Sequence, residues 1–385
     1  MPKRRHLRLL SGLVALGLVA AACGDDDEST GATTTTEADA GSTDGGDAAQ
    51  DEVTLDQLCT EAKDAGVEAA PEGFTVRLVT DIGKVDDRTF NQFAYEGMLA
   101  AADCFGFETS YIETVSQADY ARNIATALDG GPDVVITTGS LLATDTLAAA
   151  NANPDTNFIG LDQFQPEYPD NYAGVLYRED EGGYLAGVLA ASLSETGVIG
   201  VVGGREDVPP VVKLVNGYEA GAKSVNPDIQ VLSVYNESFD DTAKGESDAR
   251  QFIGEGADVI FGAGGKTGSA GVQAAAVDGV WAIGVDQDEY FTTFDGGTAP
   301  GADRIATSAV KRVDIGVFDQ IVAALDGSFE GGSVTFAAAD GGVTYAPFHD
   351  ADIPEEAAAA LEAARRGLAD GSIETGIDPI TGEPQ

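Results

Sequence analysis

From Thr75 onward the chain repeats one hydrophobic pattern: a short apolar run, a turn carrying Gly or Asp, then an amphipathic stretch with helical periodicity. The pattern predicts strands over 75–80, 109–113, 133–137 and 157–161, with helices near 89–102, 118–128 and 142–151 between them. A second series predicts strands over 198–202, 230–235, 258–261 and 280–285, with helices near 212–224, 242–254 and 269–277. Runs such as Val134-Val135-Ile136 and Val198-Ile199-Gly200-Val201-Val202 lack the alternation of a one-sided sheet. Strands buried on both faces of a parallel sheet read that way.

Two consecutive series of this kind predict an α/β protein of two doubly wound parallel-sheet lobes. A single eight-stranded barrel is the competing architecture, since eight strand–helix units can close on themselves. The segment 171–177 and a long helix over 182–193 break a strict eightfold repeat, and the tail after Arg304 adds a strand, a helix near 311–325 and further strands. Two lobes with crossovers accommodate those additions. The expected boundaries are 53–177 for the first lobe, completed by about 308–335, and 178–307 for the second, completed by about 336–385.

The amino terminus reads as an address. Lys3, Arg4, Arg5 and Arg8 precede an apolar segment over 9–21 and small residues before Cys23, the layout of a secretory signal over 1–22. The apolar run is shorter than the roughly 20 residues that span a bilayer. Leu18-Val19-Ala20-Ala21-Ala22-Cys23 resembles a bacterial lipobox, which implies cleavage before Cys23 and a lipid on its sulfur. Residues 24–52 contain no aromatic and no large aliphatic side chain, so 23–52 is expected to be a lipid-anchored, disordered tether. The folded part would then stand on the outer face of the cell membrane.

Charge and cysteine content narrow the chemistry. Asp+Glu 65 against Lys+Arg 21 gives −44, and loss of the signal segment, with four bases and no acid, takes the chain to −48. Such a surface repels phosphate backbones, which excludes nucleic acid as a partner and leaves membrane contact to the lipid. Two histidines, His6 and His349, leave little room for imidazole catalysis or a His-rich metal site, and no motif calls for a cofactor or metal. With Cys23 acylated, Cys59 and Cys104 are the remaining thiols. In an exported protein they form either a disulfide pinning the first helix or two buried thiols.

Ligands of doubly wound sheets bind beyond the carboxyl ends of the strands. Those ends read Thr80-Asp81-Ile82-Gly83, Asp162-Gln163, Ser238-Phe239-Asp240-Asp241, Gly264-Gly265-Lys266-Thr267 and Gly284-Val285-Asp286-Gln287. Aspartates after strands often cap helices, but no predicted helix starts directly after Asp81, Asp162 or Asp286. A P-loop fails because Ile260 stands where its first glycine belongs, and no G-x-S-x-G accompanies His349. No pair of acids is singled out for glycoside chemistry.

The densest segment runs Val79-Thr80-Asp81-Ile82-Gly83-Lys84-Val85-Asp86-Asp87-Arg88-Thr89-Phe90-Asn91-Gln92-Phe93-Ala94-Tyr95-Glu96-Gly97. It resembles the signature of the basic membrane protein family of bacterial lipoproteins, the purine-nucleoside receptors of ABC-type importers. Similar stretches follow in order, among them Asn216-Gly217-Tyr218-Glu219-Ala220-Gly221, Ser238 to Gly245, Ala282 to Asp286 and Thr307 to Lys311. Lys266 departs from the family's usual Gly-Gly-Thr-Gly loop, and Thr89 stands where Ser is common. The resemblance implies a type I periplasmic-binding fold with a three-stranded hinge, no enzymatic activity, a purine nucleoside as ligand, and an ABC permease and ATPase as partners of a monomer. Phe90 and Phe239 are then expected to cover the faces of a base, Asp286 and Lys311 to hold ribose, Asp81 to serve a ribose hydroxyl, and Asp162 and Asn91 to read the base edge, with Gly265 admitting the ligand to backbone. Core packing is the competing role for both Phe residues, and a surface ion pair for Lys311. A sugar-binding or signalling receptor of the same fold and a surface nucleoside hydrolase are the rival functions.

The anchor is directly testable. Cys23→Ser should release the protein from membranes or block processing, read by fractionation without detergent; equal membrane retention of the variant would refute the lipobox.

Overall fold

The computed structural model describes residues 53–385. The expected signal segment 1–22, Cys23 and the expected tether up to residue 52 lie outside the described residues. A first helix, α1 (Leu55–Asp64), precedes β1 (Thr75–Ile82), α2 (Phe90–Phe105), β2 (Glu108–Thr114), α3 (Tyr120–Ala127), β3 (Val134–Thr138), α4 (Ala143–Ala152), β4 (Asn157–Leu161) and β5 (Tyr172–Tyr177). A second run holds α5 (Glu179–Leu193), β6 (Val198–Gly203), α6 (Pro209–Val225), β7 (Gln230–Tyr235), α7 (Thr242–Gly254), β8 (Val259–Ala263), α8 (Gly265–Val277), β9 (Trp281–Asp286), α9 (Glu289–Thr292) and β10 (Ile305–Lys311). The chain ends with α10 (Val313–Asp326), β11 (Gly332–Phe336), β12 (Val343–Tyr345) and α11 (Glu355–Ala369).

The strands form two open six-stranded sheets rather than a closed barrel, which removes the competing architecture. Sheet one runs β2-β1-β3-β4-β5-β11 with every pairing parallel. Sheet two runs β7-β6-β8-β9-β10-β12, and only its edge strand β12 is antiparallel. Both keep the 2-1-3-4-5 order of doubly wound folds. β3 and β8 are buried along their whole length, which is why their sequences show apolar runs without alternation.

The chain passes between the lobes three times, at 177–179, 311–313 and 336–343. Lys311 was expected to open a helix and to follow its strand. Instead it pairs with Val343 of β12, so β10 runs on to Lys311 and α10 starts at Val313. The second crossing therefore falls after Lys311. Helix starts shift as well. α6 begins at Pro209, because two prolines in its first turn lose no helical hydrogen bond. α8 begins at Gly265, so Gly265-Lys266-Thr267 is a first helical turn rather than a loop.

Two contacts fix the parts around the crossings. α5 and α6 meet backbone to backbone: a Cβ at Gly183 would lie 2.2 Å from Leu214 O, and one at Gly217 2.3 Å from Asp180 O. Only glycine permits that approach, which draws α6 against the first crossing. In lobe one, Cys59 of α1 and Cys104 of α2 form a disulfide, with Cα atoms 5.9 Å apart. α1 buries none of its residues fully and rests only partly buried Leu55, Leu58 and Ala62 on the core. The disulfide is therefore its main tether.

Closing that 45-residue loop is worth about 2–4 kcal/mol. Reduction, or Cys59→Ser with Cys104→Ser, should lower the melting temperature by roughly 5 °C or more and expose α1 amides to hydrogen exchange. Identical melts with and without reductant would assign the retention of α1 to packing alone.

Candidate functional site

The first wall of the interlobe cleft is built where β1 ends. Asp81 is the penultimate residue of that strand, and its backbone N–H donates to Thr138 Oγ1 at 2.7 Å and to Asn91 Oδ1 at 3.1 Å. Its carboxylate accepts from the Tyr120 hydroxyl and, at 2.6 Å, from the Ile82 N–H. Burial lifts its pKa to about 6 against those two hydrogen bonds. Gly139 makes room for this carboxylate, since a Cβ there would lie 2.2 Å from Asp81 Oδ2.

The turn after β1 is organised by Asp87, whose role the sequence reading missed. Its buried carboxylate accepts from the N–H groups of Thr89, Asn91 and Gln92 at 2.9, 3.1 and 3.0 Å, and from Asn91 Nδ2 at 2.9 Å. It thus caps the first turn of α2, a site suited to a carboxylate. Phe90, the first residue of that helix, is thereby aimed into the cleft. Asn91 also lines the cleft, but its Oδ1 already serves Asp81 N and, at 2.6 Å, the Thr138 hydroxyl. At most one Nδ2 proton is left for a ligand.

Asp162 and Asp286 occupy matching positions in the two lobes. Each follows the apolar end of a strand, in Gly160-Leu161-Asp162-Gln163 and Gly284-Val285-Asp286-Gln287, and each takes a left-handed backbone, with φ 61° and 65°. Such a conformation is uncommon outside glycine, although Asp tolerates it better than most residues. It turns both carboxylates toward the cleft. Their surroundings differ. Asp162 Oδ2 accepts from Lys311 Nζ at 2.8 Å, while its Oδ1 has no partner among the described residues. Asp286 accepts no hydrogen bond from the described residues, and burial raises its pKa to about 6 even with the Lys311 charge nearby. Burial pushes Asp162 upward as well, against the attraction of Lys311.

Lys311 was expected to hold ribose together with Asp286, and in the structure it bonds two other carboxylates. It donates to Asp162 and, at 3.2 Å, to Glu179, with its ammonium 4.5 Å from the Phe90 ring centroid. It is buried, so a surface ion pair is ruled out. Phe239 was expected at a strand end. β7 stops at Tyr235, and Phe239 projects from the following loop because Thr267 N–H and hydroxyl hold the carbonyls of Phe239 and Ser238, at 3.0 and 2.8 Å. Its ring lies over Gly204, where a Cβ would sit 2.3 Å from Phe239 Cε1. Gly265 opens α8 beneath it, at φ 54°.

All eight sequence-predicted residues thus line one cleft: Asp81, Phe90, Asn91 and Asp162 from lobe one, Phe239, Gly265, Asp286 and Lys311 from lobe two. Val208, Pro210, Val211 and Leu214 add an apolar wall that the sequence reading missed. The double proline after Gly203-Gly204 was its available signal. The lobes also touch directly: Arg88 Nη1 donates to Thr292 O at 2.9 Å and Gln287 Nε2 to Thr89 O at 3.2 Å. Among the described residues no group of three or more His, Cys, Asp or Glu is arranged to hold a metal ion, and no helix is long and apolar enough to cross a membrane.

A cleft of this build between two doubly wound lobes is what solute-binding proteins carry, and comparison with known proteins agrees. The Bmp family profile, described as ABC transporter substrate-binding protein PnrA-like, matches residues 74–361. The chain belongs to this family. It is 35% identical to the "ABC transporter nucleoside-binding protein BmpA" of Lactococcus lactis over 285 residues, 69% of this chain and 79% of the relative. It is 29% identical to the "CD4+ T-cell-stimulating antigen" of Listeria innocua over 98% of this chain and 100% of the relative. A solved ABC transporter solute-binding protein from Aeropyrum pernix shares the fold with TM-score 0.69 at 24% identity, over 78% of this chain and 92% of that one. As a member of the Bmp family the protein is an extracytoplasmic substrate-binding protein of an ABC transporter.

The unpaired carboxylate gives a stability test. The folded pKa of Asp286 is raised from 3.8 to about 6, so its ionised form burdens the ligand-free fold above that pH and the burden lifts as pH falls. Asp286→Asn should therefore stabilise the ligand-free protein at pH 7.5 by about 2–3 kcal/mol, with the gain shrinking toward pH 5. Thermal melts across that range decide, and a less stable variant at pH 7.5 would contradict the assignment.

Proposed function

We propose that this protein captures a purine nucleoside between its lobes and hands it to an ABC permease and its ATPase. It acts as a binder without catalysis, as a monomer, held on the outer face of the cell membrane by lipid on Cys23. The two lobes, hinged at the three crossings, close on the ligand, and the closed form is stabilised by contacts from both sides.

One observation carries this reading. Two half-buried rings, Phe90 and Phe239, come from opposite lobes to a cleft whose carboxylates at Asp162 and Asp286 keep unengaged acceptor oxygens. A nucleoside is half aromatic plate and half vicinal diol. The rings suit the plate, where stacking is worth about 1–3 kcal/mol per base, and the carboxylates suit hydroxyl donors. The Lactococcus lactis relative, named as nucleoside-binding, supports the same class.

The test is calorimetry with guanosine, inosine, 2′-deoxyguanosine, free base and ribose. The whole nucleoside should bind far better than ribose or base alone. Phe90→Ala should weaken guanosine by about 1–3 kcal/mol while changing the order of purines little. Asp286→Ala should cost about 2–5 kcal/mol of binding. Ribose binding as tightly as guanosine would move the protein to the sugar-binding class, and release of free base on incubation would make it a hydrolase.

A further inference from the structure

A chain of buried charges runs from the body of lobe two, through the crossings, to the cleft. Lys213 of α6 donates to Tyr177 O at 2.8 Å and also contacts Glu179 Oε2. Glu179 Oε1 accepts from Lys311 at 3.2 Å, and Lys311 donates onward to Asp162 at 2.8 Å. Each of these four residues is at most 9% exposed, so water does not screen the chain. Lys213 therefore grips the first crossing at the last carbonyl of β5 and at the first carboxylate of α5. Lys311 is the last residue before the second crossing. The Lys311–Glu179 pair ties two of the three crossings together, and the Lys311–Asp162 pair joins them to lobe one.

An ammonium carries three protons. On Lys311 two are taken by Asp162 and Glu179, and the third finds no acceptor among the described residues. Its nitrogen stands over the Phe90 ring, on the wall of the cleft. Without Glu179, the anions left around Lys311 are Asp162 and Asp286, both facing the cleft, and the ammonium would turn to them and occupy the acceptors a ligand needs.

We propose that Glu179, braced by Lys213, is a positioning residue for solute capture: it holds the Lys311 ammonium at the joined crossings with one proton facing the ligand, so that ligand arrival and lobe closure act through one side chain. This rests on the reading that Lys311 meets the bound solute. Calorimetry with guanosine and small-angle scattering of the mature protein test it together. Glu179→Gln should lower affinity about tenfold or more and reduce ligand-induced compaction, and Glu179→Asp should recover part of both. In a Lys311→Met background, Glu179→Gln should weaken binding no further, because its effect passes through Lys311. Where Glu179→Gln alone folds poorly, Glu179→Gln with Lys213→Met removes one anion and one cation together and should show the same loss. Full affinity in that folded double variant, or losses that simply add in the Lys311→Met cycle, would overturn the proposal. Wild-type affinity in Lys311→Met would instead overturn the reading of the site, and no guanosine binding by the wild type would overturn the nucleoside assignment.

Discussion

The buried ammonium of Lys311 is the constraint around which the two lobes are arranged. Removing a charge from water is expensive unless partners surround it, and leaving one partner alone costs about 3–5 kcal/mol. Lys311 and Lys213 balance Asp162 and Glu179 in sign, two cations against two anions. Because these four side chains come from α6, the first crossing, β10 and the residue after β4, the balance is struck only when both lobes and two crossings are in place. The pairs with Asp162 and Glu179 keep Lys311 charged, and its neighbours Lys213 and Lys311 hold Glu179 below the usual range despite its burial.

Asp286 is the fifth charge and has no cation of its own. It sits beside a neutral set, in a left-handed backbone conformation, with its carboxylate unbonded. Backbone strain and desolvation of this kind collect at functional sites, where the surrounding fold holds the residue in place. The same economy appears in lobe one, where Asp87 spends its carboxylate entirely on the α2 terminus and leaves the neighbouring Phe90 oriented.

Backbone proximity makes this arrangement possible. Gly183 and Gly217 let α5 and α6 approach without side chains between them, and this brings Lys213 to Glu179. Gly139 and Gly204 clear space for Asp81 and Phe239. These glycines act by what they lack: a larger residue at Gly139 or Gly204 would displace the Asp81 carboxylate or the Phe239 ring, and one at Gly183 or Gly217 would push the backbones of α5 and α6 apart.

The sequence by itself determined the two doubly wound series, because apolar runs and turn residues are local and periodic. It also marked the carboxylates at strand ends and the Thr80 to Gly97 signature, since a fold that binds ligands at strand ends makes those positions readable. Tertiary structure alone decided the partners. That Lys311 bonds Asp162 and Glu179 rather than Asp286, and that Asn91 is occupied by Asp81 and Thr138, depends on residues between 10 and 149 positions apart. The disulfide between Cys59 and Cys104, and the loop position of Phe239, were settled in the same way, by contacts with no local sequence signature. Periodicity fixes which way a side chain faces within its own element, whereas the neutralisation of a buried charge depends on whatever other elements bring within about 3 Å of it.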